Sequence, residues 1–204
     1  MTFANELSAS EARPSDSTIE EVVVIGSVLY RDQVNALKTP TPIMDVPQSV
    51  AVITGAEIQS LGYSSIPDLI NYVPGLSSSQ GEGHRDAVVF RGVRSTADFF
   101  DDGVREDVQY YRPLYNLDQV EVLKGPNALL FGRWGTGGVL NRVTKNAVLG
   151  RHFAEISTAV ETFRGSSVQV DRNVTVNTTS ALRLNGFYES LENYRVFSMV
   201  AGLA

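Results

Sequence analysis

One stretch constrains the fold more than any other: Val120 to Lys145, VEVLKGPNALLFGRWGTGGVLNRVTK. Val120 and Val122 alternate with Glu121, the period of two that marks a half-buried strand. Gly125-Pro126 breaks that strand, and Pro126 suits the first position of a short helix, where its missing N–H would have no partner anyway. Ala128 to Phe131 supply one or two turns, Gly132 is a natural left-handed stop, and Gly135-Thr136-Gly137-Gly138 permits a backbone path that side chains would block. A second strand, Val139 to Thr144, follows and ends in Lys145. The glycines do not make a phosphate loop. Gly132 is followed by Arg133-Trp134 and Gly138 by Val139-Leu140, where a P-loop needs Gly-Lys-Ser/Thr. The Gly-x-Gly-x-x-Gly dinucleotide pattern fails too, because Gly135 and Gly137 lead to Leu140.

The rest of the chain brackets this stretch with smaller units. Asp45 to Ile53 contains a short strand, and Thr54-Gly55-Ala56-Glu57 has the spacing of a capping box. Ile58 and Leu61 are expected to face the core before Gly62 stops the helix. Ser65 is placed to cap a second helix carrying Pro67, Leu69, Ile70 and Val73 and closed by Pro74-Gly75. Leu76 to Asp86 reads as a Ser/Gly loop, and Ala87 to Arg91 as a strand. Asp98 to Arg105 resembles a calcium loop only superficially. Its third ligand position is Phe100 and its twelfth Gln109, so Asp102-Gly103 is better read as a type I′ hairpin turn.

From Gly150 the pattern changes. Ala154, Ile156 and Val160 alternate with Glu155, Ser157 and Glu161; Val168, Val170, Val174 and Val176 with Gln169, Asp171, Asn173, Thr175 and Asn177; Leu182, Leu184 and Tyr188 with Arg183, Asn185 and Glu189. Three amphipathic strands joined at Arg164-Gly165 and at Asn177 to Ser180 suit a barrel with one lipid face and one polar face; half a soluble sandwich gives the same alternation. Val196 to Ala204 leaves the strand pattern.

Composition narrows the function. A net charge of −6 argues against a nucleic-acid partner, which would call for a basic patch. There is no cysteine, and no apolar run approaches the ~18 residues of a membrane-spanning helix. The only histidines, His84 and His152, are far apart and outside any ligand-spaced motif, and Gly62-Tyr63-Ser64-Ser65 runs into Ile66 rather than completing a nucleophile elbow. No enzyme, metal site or cofactor is predicted.

The order VEVLKGP, short helix ending in Phe131-Gly132, and GGVLNRVTK resembles the plug-domain signature of TonB-dependent outer-membrane receptors. Pro47 to Val50 (PQSV), Leu69 to Gly75 (L-x-x-x-x-P-G), Arg91-Gly92 and the Asp102-Gly103 hairpin resemble further motifs of that family. The resemblance implies an α+β plug, a mixed small sheet with short helices, followed by the first antiparallel strands of a transmembrane β-barrel. It divides the chain into a polar leader and linker over 1–42, a plug over 43–148 and an incomplete barrel start over 149–204. Barrels of this class need about 22 strands, so the chain is expected to be the N-terminal part of a longer receptor; no secretory signal is visible in MTFANELSASEARPSDST.

Within the leader, Glu20, Glu21, Val22, Val23, Val24 and Ile25 resemble the TonB box, the segment through which the TonB energy-transducing protein pairs by strand addition; an edge strand is the alternative. The implied function is gated uptake of ferric siderophores across the outer membrane, with iron carried only inside the ligand. Gln80, His84, Arg85, Tyr110, Tyr111 and Arg112 are expected on outward loops, where cations and aromatic faces suit an anionic ferric chelate. FFDDGVRED-x-QYYR most resembles the catecholate branch. Arg91, Glu121, Lys124 and Arg142 are expected to form plug–barrel ion pairs. A plug-like periplasmic binding or signalling module without transport is the alternative.

Overall fold

The computed structural model describes residues 34–37, 42–79, 85–95, 98–126, 137–160, 165–192 and 199–203. The TonB-box residues, Gln80, His84, the short helix after Pro126, Arg164 of its turn, and Gly135 and Thr136 of the glycine-rich run lie outside them.

Two 3-10 turns, Asn35–Leu37 and Ile43–Asp45, precede β1 (Ser49–Thr54), α1 (Gly55–Leu61) and α2 (Ile66–Ile70). Both helices open with capping boxes: the one expected at Thr54 and Glu57, and at α2 one in which Asp68 joins the expected Ser65 cap. Thr54 Oγ1 accepts from the Glu57 amide while Glu57 reaches back to the Thr54 N–H, and Ser65 and Asp68 do the same for α2. Gly62 closes α1 at φ 67°. Ile58, Leu69, Ile70 and Val73 are buried, but Leu61 is 61% exposed. With only seven residues, α1 lays Ile58 alone on the core.

β2 (Leu76–Ser78), β3 (Val88–Phe90) and β4 (Val93–Ser95) form a three-stranded antiparallel sheet. The Ser/Gly loop expected from Leu76 therefore begins with a strand: Gly75, at φ 84°, turns the chain so that Leu76 packs on the core and pairs with Phe90. Arg91 and Gly92, at φ 47° and 87°, make the tight β3–β4 turn.

β5 (Phe99–Asp101) and β6 (Val104–Arg105) are joined at Asp102-Gly103, whose φ values of 48° and 76° are those of a primed turn. β7 (Leu117–Lys124) and β8 (Gly138–Thr144) complete a five-stranded sheet of order β1-β7-β8-β5-β6, antiparallel except for β5 beside β8. Gly138 is required by close approach. A Cβ there would lie 2.5 Å from Phe90 Cδ1 and 2.6 Å from the Leu123 carbonyl.

The alternation of Val120, Glu121 and Val122 does not mark a half-buried strand, because both faces of β7 are covered. Val120, Val122 and Leu140 pack against Ile58, Ile66, Leu69 and Ile70 on the helical side. Leu123, Val139 and Phe100 pack on the other side against Val34 and Ala36 of the linker. Glu121, on that second face, has no exposed surface.

β9 (Phe153–Val160), β10 (Ser166–Asn177) and β11 (Ser180–Glu192) are the three alternating strands, paired as an antiparallel meander. Val196 to Ala204 was expected to leave the pattern, yet Met199–Leu203 pairs with β11 as β12. Backbone groups at an open sheet edge accept an extended partner whatever its side-chain alternation. Ile156, Val160, Val170, Leu182, Leu184 and Tyr188 are exposed on one face, while Asp171 and Asn173 are buried on the other against the preceding domain. No helix among the described residues is long and apolar enough to cross a membrane, which says nothing of strands.

Candidate functional site

Three polar assemblies organise the chain. The first gathers the residues expected on the ligand side. Asp86, at the end of the loop before β3, and 106–112, after β6, are drawn together by the Asp86 amide donating to the Tyr110 carbonyl at 3.2 Å. The Asp86 carboxylate accepts from the Arg112 amide at 2.7 Å, and the Arg85 guanidinium hydrogen-bonds to Gln109. Arg112, expected as an outward ligand contact, is instead inside the domain, with 2% of its surface exposed. Its Nε donates to Glu106 Oε2 at 2.9 Å, its Nη2 to the Val108 carbonyl at 2.6 Å and its Nη1 to the Tyr110 carbonyl at 3.3 Å. The guanidinium also lies 3.9 Å from the Phe99 ring centroid. A buried guanidinium needs its charge neutralised and its planar face covered, and here the loops supply the carboxylates and carbonyls while β5 supplies the ring.

Glu106 joins this assembly to the main sheet, because Arg142 of β8 donates to the same Glu106 Oε2 at 2.7 Å. Arg142 also lies 3.5 Å from Asp101. Burial pushes the Asp86 carboxyl up to about 6, against the pull of the Arg112 amide and charge. Burial also works to raise Glu106, but hydrogen bonds from Tyr110 and Arg112 and the Arg142 charge outweigh it and hold Glu106 below the usual carboxylate range. The Tyr110 hydroxyl is raised by burial and by its hydrogen bond to Glu106. At the surface of these segments lie Asp107, Gln109, Val108, 64% exposed, and Tyr111, 42% exposed, with Arg85 partly exposed.

The second assembly is centred on Glu121. Its Oε1 accepts from the Asn35 amide at 2.7 Å and from Gln119 Nε2 at 2.6 Å; its Oε2 accepts from the Ala36 amide at 2.8 Å and from Asn141 Nδ2 at 3.0 Å. All four donors lie on the linker and on β7 and β8, so the carboxylate is taken up within the plug. A buried carboxylate persists when its lone pairs are satisfied, and the linker amides complete that set.

The third assembly joins the plug to the strands after it. Asp171 of β10 receives Lys145 Nζ at 3.0 Å and the Arg183 guanidinium through Nε at 2.9 Å and Nη2 at 2.7 Å. Asn173 accepts from the Val148 amide at 2.9 Å and donates to the carbonyls of Val148 and Arg151. Of the four residues expected to pair with the barrel, Arg142 and Glu121 are engaged inside the plug, Arg91 is exposed on its turn and Lys124 is half-buried at the end of β7. The described ion pair from plug to barrel strands is Lys145–Asp171, which was missed. Its signal was available: Lys145 closes the signature stretch, and Asp171 is an acid on the polar face of an amphipathic strand. No cluster of His, Cys, Asp or Glu among the described residues could hold a metal ion.

A helix-backed mixed sheet joined by an ion pair and hydrogen bonds to a two-faced antiparallel meander defines a plug with initial barrel strands. Residues 42–139 match the family model of the TonB-dependent Receptor Plug Domain. The chain carries the plug domain of the TonB-dependent receptors. It is 34% identical over 187 residues to the probable TonB-dependent receptor BfrD of Bordetella pertussis, covering 88% of this chain and 25% of the relative. It is 30% identical over 174 residues to the probable TonB-dependent siderophore receptor PiuA of Acinetobacter baumannii, covering 84% and 23%. The crystal structure of that PiuA superposes with a TM-score of 0.69 at 30% identity, over 74% of this chain and 22% of the other. The open form of the ferric-catecholate import receptor Fiu from E. coli K12 superposes with a TM-score of 0.71 at 26% identity, over 78% and 24%. The chain thus spans about a quarter of the length of the relatives it matches.

Proposed function

We propose that this chain is the N-terminal part of an outer-membrane receptor that takes up ferric siderophores with energy supplied through TonB. The observation that carries the reading is the pairing of two loop segments, 85–86 and 106–112, over a plug that is itself bonded to barrel-type strands. The names of PiuA and Fiu supply the ligand class, a siderophore and a ferric catecholate respectively. Arg85, partly exposed, and Tyr111 are the surface cation and ring of these segments, with Gln80 and His84 preceding Arg85 in sequence; Tyr110 shapes the segment from beneath through Glu106. A hydrated anionic chelate whose iron is already coordinated needs such groups rather than a carboxylate cage.

Glu20 to Ile25 would engage TonB by strand addition, reached through the linker that Glu121 fixes at Asn35 and Ala36. Arg91 and Lys124 would meet the barrel wall. The test is a titration of the intact receptor with a ferric tris-catecholate complex, read by quenching of protein fluorescence. Arg85→Ala and Tyr111→Ala are expected to weaken binding by about tenfold each, the worth of one charge-assisted or cation–π contact. Unchanged affinity in both variants, with wild type binding, would remove these residues from the ligand site.

A further inference from the structure

We propose that Arg112 is a positioning residue that sets the two ligand-side segments, 85–86 and 106–112, in one arrangement and ties both to the central sheet. The inference rests on those segments forming the ligand side of the plug, as proposed above. The geometry singles out this residue. Its guanidinium bonds directly to the Glu106 carboxylate and to the carbonyls of Val108 and Tyr110, lies 3.8 Å from Asp86, and covers the Phe99 ring of β5. Its own amide is bonded to the Asp86 side chain. One side chain therefore touches both segments and the sheet beneath. Through Glu106, the network continues to Arg142 on β8.

Neither segment has regular secondary structure to hold it: residues 106–114 run without strand or helix, and 85–87 precede β3. Among the described residues, one backbone bond joins the segments to each other and one ties them to β5. The Asp86 amide donates to Tyr110 and the Glu106 amide to Phe99. The segments would otherwise sample many arrangements, each with a different spacing between Arg85 and Tyr111. An arginine fork can fix that spacing because its donors diverge in a plane; a lysine at the same place keeps the charge but cannot reach all three acceptors.

The test uses Arg112→Lys and Glu106→Gln in the full chain, read by amide hydrogen exchange resolved to single residues. Arg112→Lys is expected to speed exchange at the amides of Asp86, Glu106 and Arg112 together by about tenfold or more, the worth of a lost hydrogen bond to a charged group. The amides of β7 keep their protection. Glu106→Gln, which weakens the same node with Arg112 itself kept, is expected to give the same pattern at smaller amplitude. Loosening of one segment only, or of neither, would overturn the proposal, and so would uniform loss of protection extending into β7, which would mark a general stability effect.

A second readout tests the consequence for recognition: affinity of the intact receptor for a ferric tris-catecholate complex, expected to fall about tenfold in Arg112→Lys. Loosened segments with unchanged affinity would contradict the positioning role. If wild type does not bind the complex, the ligand reading fails while the exchange result still decides whether Arg112 couples the segments.

Discussion

Replacing Glu121 by Gln tests the account of the plug at its most demanding point. The side chain is nearly isosteric, so packing is conserved, but one acceptor oxygen becomes an NH2. Oε1 faces the Asn35 amide and Gln119, and Oε2 faces the Ala36 amide and Asn141. Either orientation of the new amide sets a donor against two donors. Gln119 can turn its own amide to recover a bond. Asn141 cannot do so freely, because its Oδ1 already accepts from the Gly103 amide at 2.8 Å. At least one linker amide is left buried without a partner in each case. A hydrogen bond to a charged group contributes ~1.5–3 kcal/mol and an orphaned buried donor costs ~1–3 kcal/mol, so the loss is about 3 kcal/mol. Against a domain stability of about 5–15 kcal/mol, that is large. The assay is urea unfolding of the full chain with exchange measured at Asn35 and Ala36. A lower midpoint and early loss of protection at those two amides are expected. An unchanged midpoint with both amides still protected would refute the claim that Glu121 anchors the linker.

Four further outcomes are expected. Asp86, raised to about 6 from 3.8, favours its protonated form in the folded state, so its contribution makes stability fall as pH rises through that window; Asp86→Asn should flatten the slope between about pH 4 and 6 by at most about 3 kcal/mol, measured as the pH dependence of thermal unfolding. Glu106 is held low, so the stability it contributes is present above the ordinary carboxylate range and is lost as pH falls through its lowered value, in wild type and Asp86→Asn alike. Lys145→Met should cost about 1 kcal/mol and Arg183→Met about 2 kcal/mol, since Arg183 holds Asp171 through two bonds and Lys145 through one; a double-mutant cycle with Asp171→Asn reads the coupling. Gly138→Ala should destabilise by about 3 kcal/mol or more, because its Cβ meets Phe90 and the Leu123 carbonyl, and the loss should appear in the denaturation midpoint.

The local grammar of the plug was legible because each rule acts within a few residues. Thr54 with Glu57, Ser65 with Pro67, Asp102-Gly103 and the three alternating strands all appear as their residues dictate. What stayed hidden depends on partners far along the chain. Glu121 reads as the solvent side of an alternating strand until the linker, more than eighty residues earlier, is seen to cover it. Arg112 reads as a loop cation until Asp86, Glu106 and Phe99 close around it. β12 shows no alternation of its own and forms because β11 offers an open edge. The Asp171 node was legible in its members but not in its pairing: its two cations come from a neighbouring strand and from the end of the plug.

The most direct test of the central claim is energised iron uptake. Iron-starved cells of the native host would be given radioactive iron as a ferric tris-catecholate complex, with the gene intact, deleted, and restored in a form lacking Glu20 to Ile25. The account predicts that uptake falls on deletion and is not restored without that segment, although the restored receptor still binds the complex. Undiminished uptake after deletion, or full restoration by the shortened form, would contradict it.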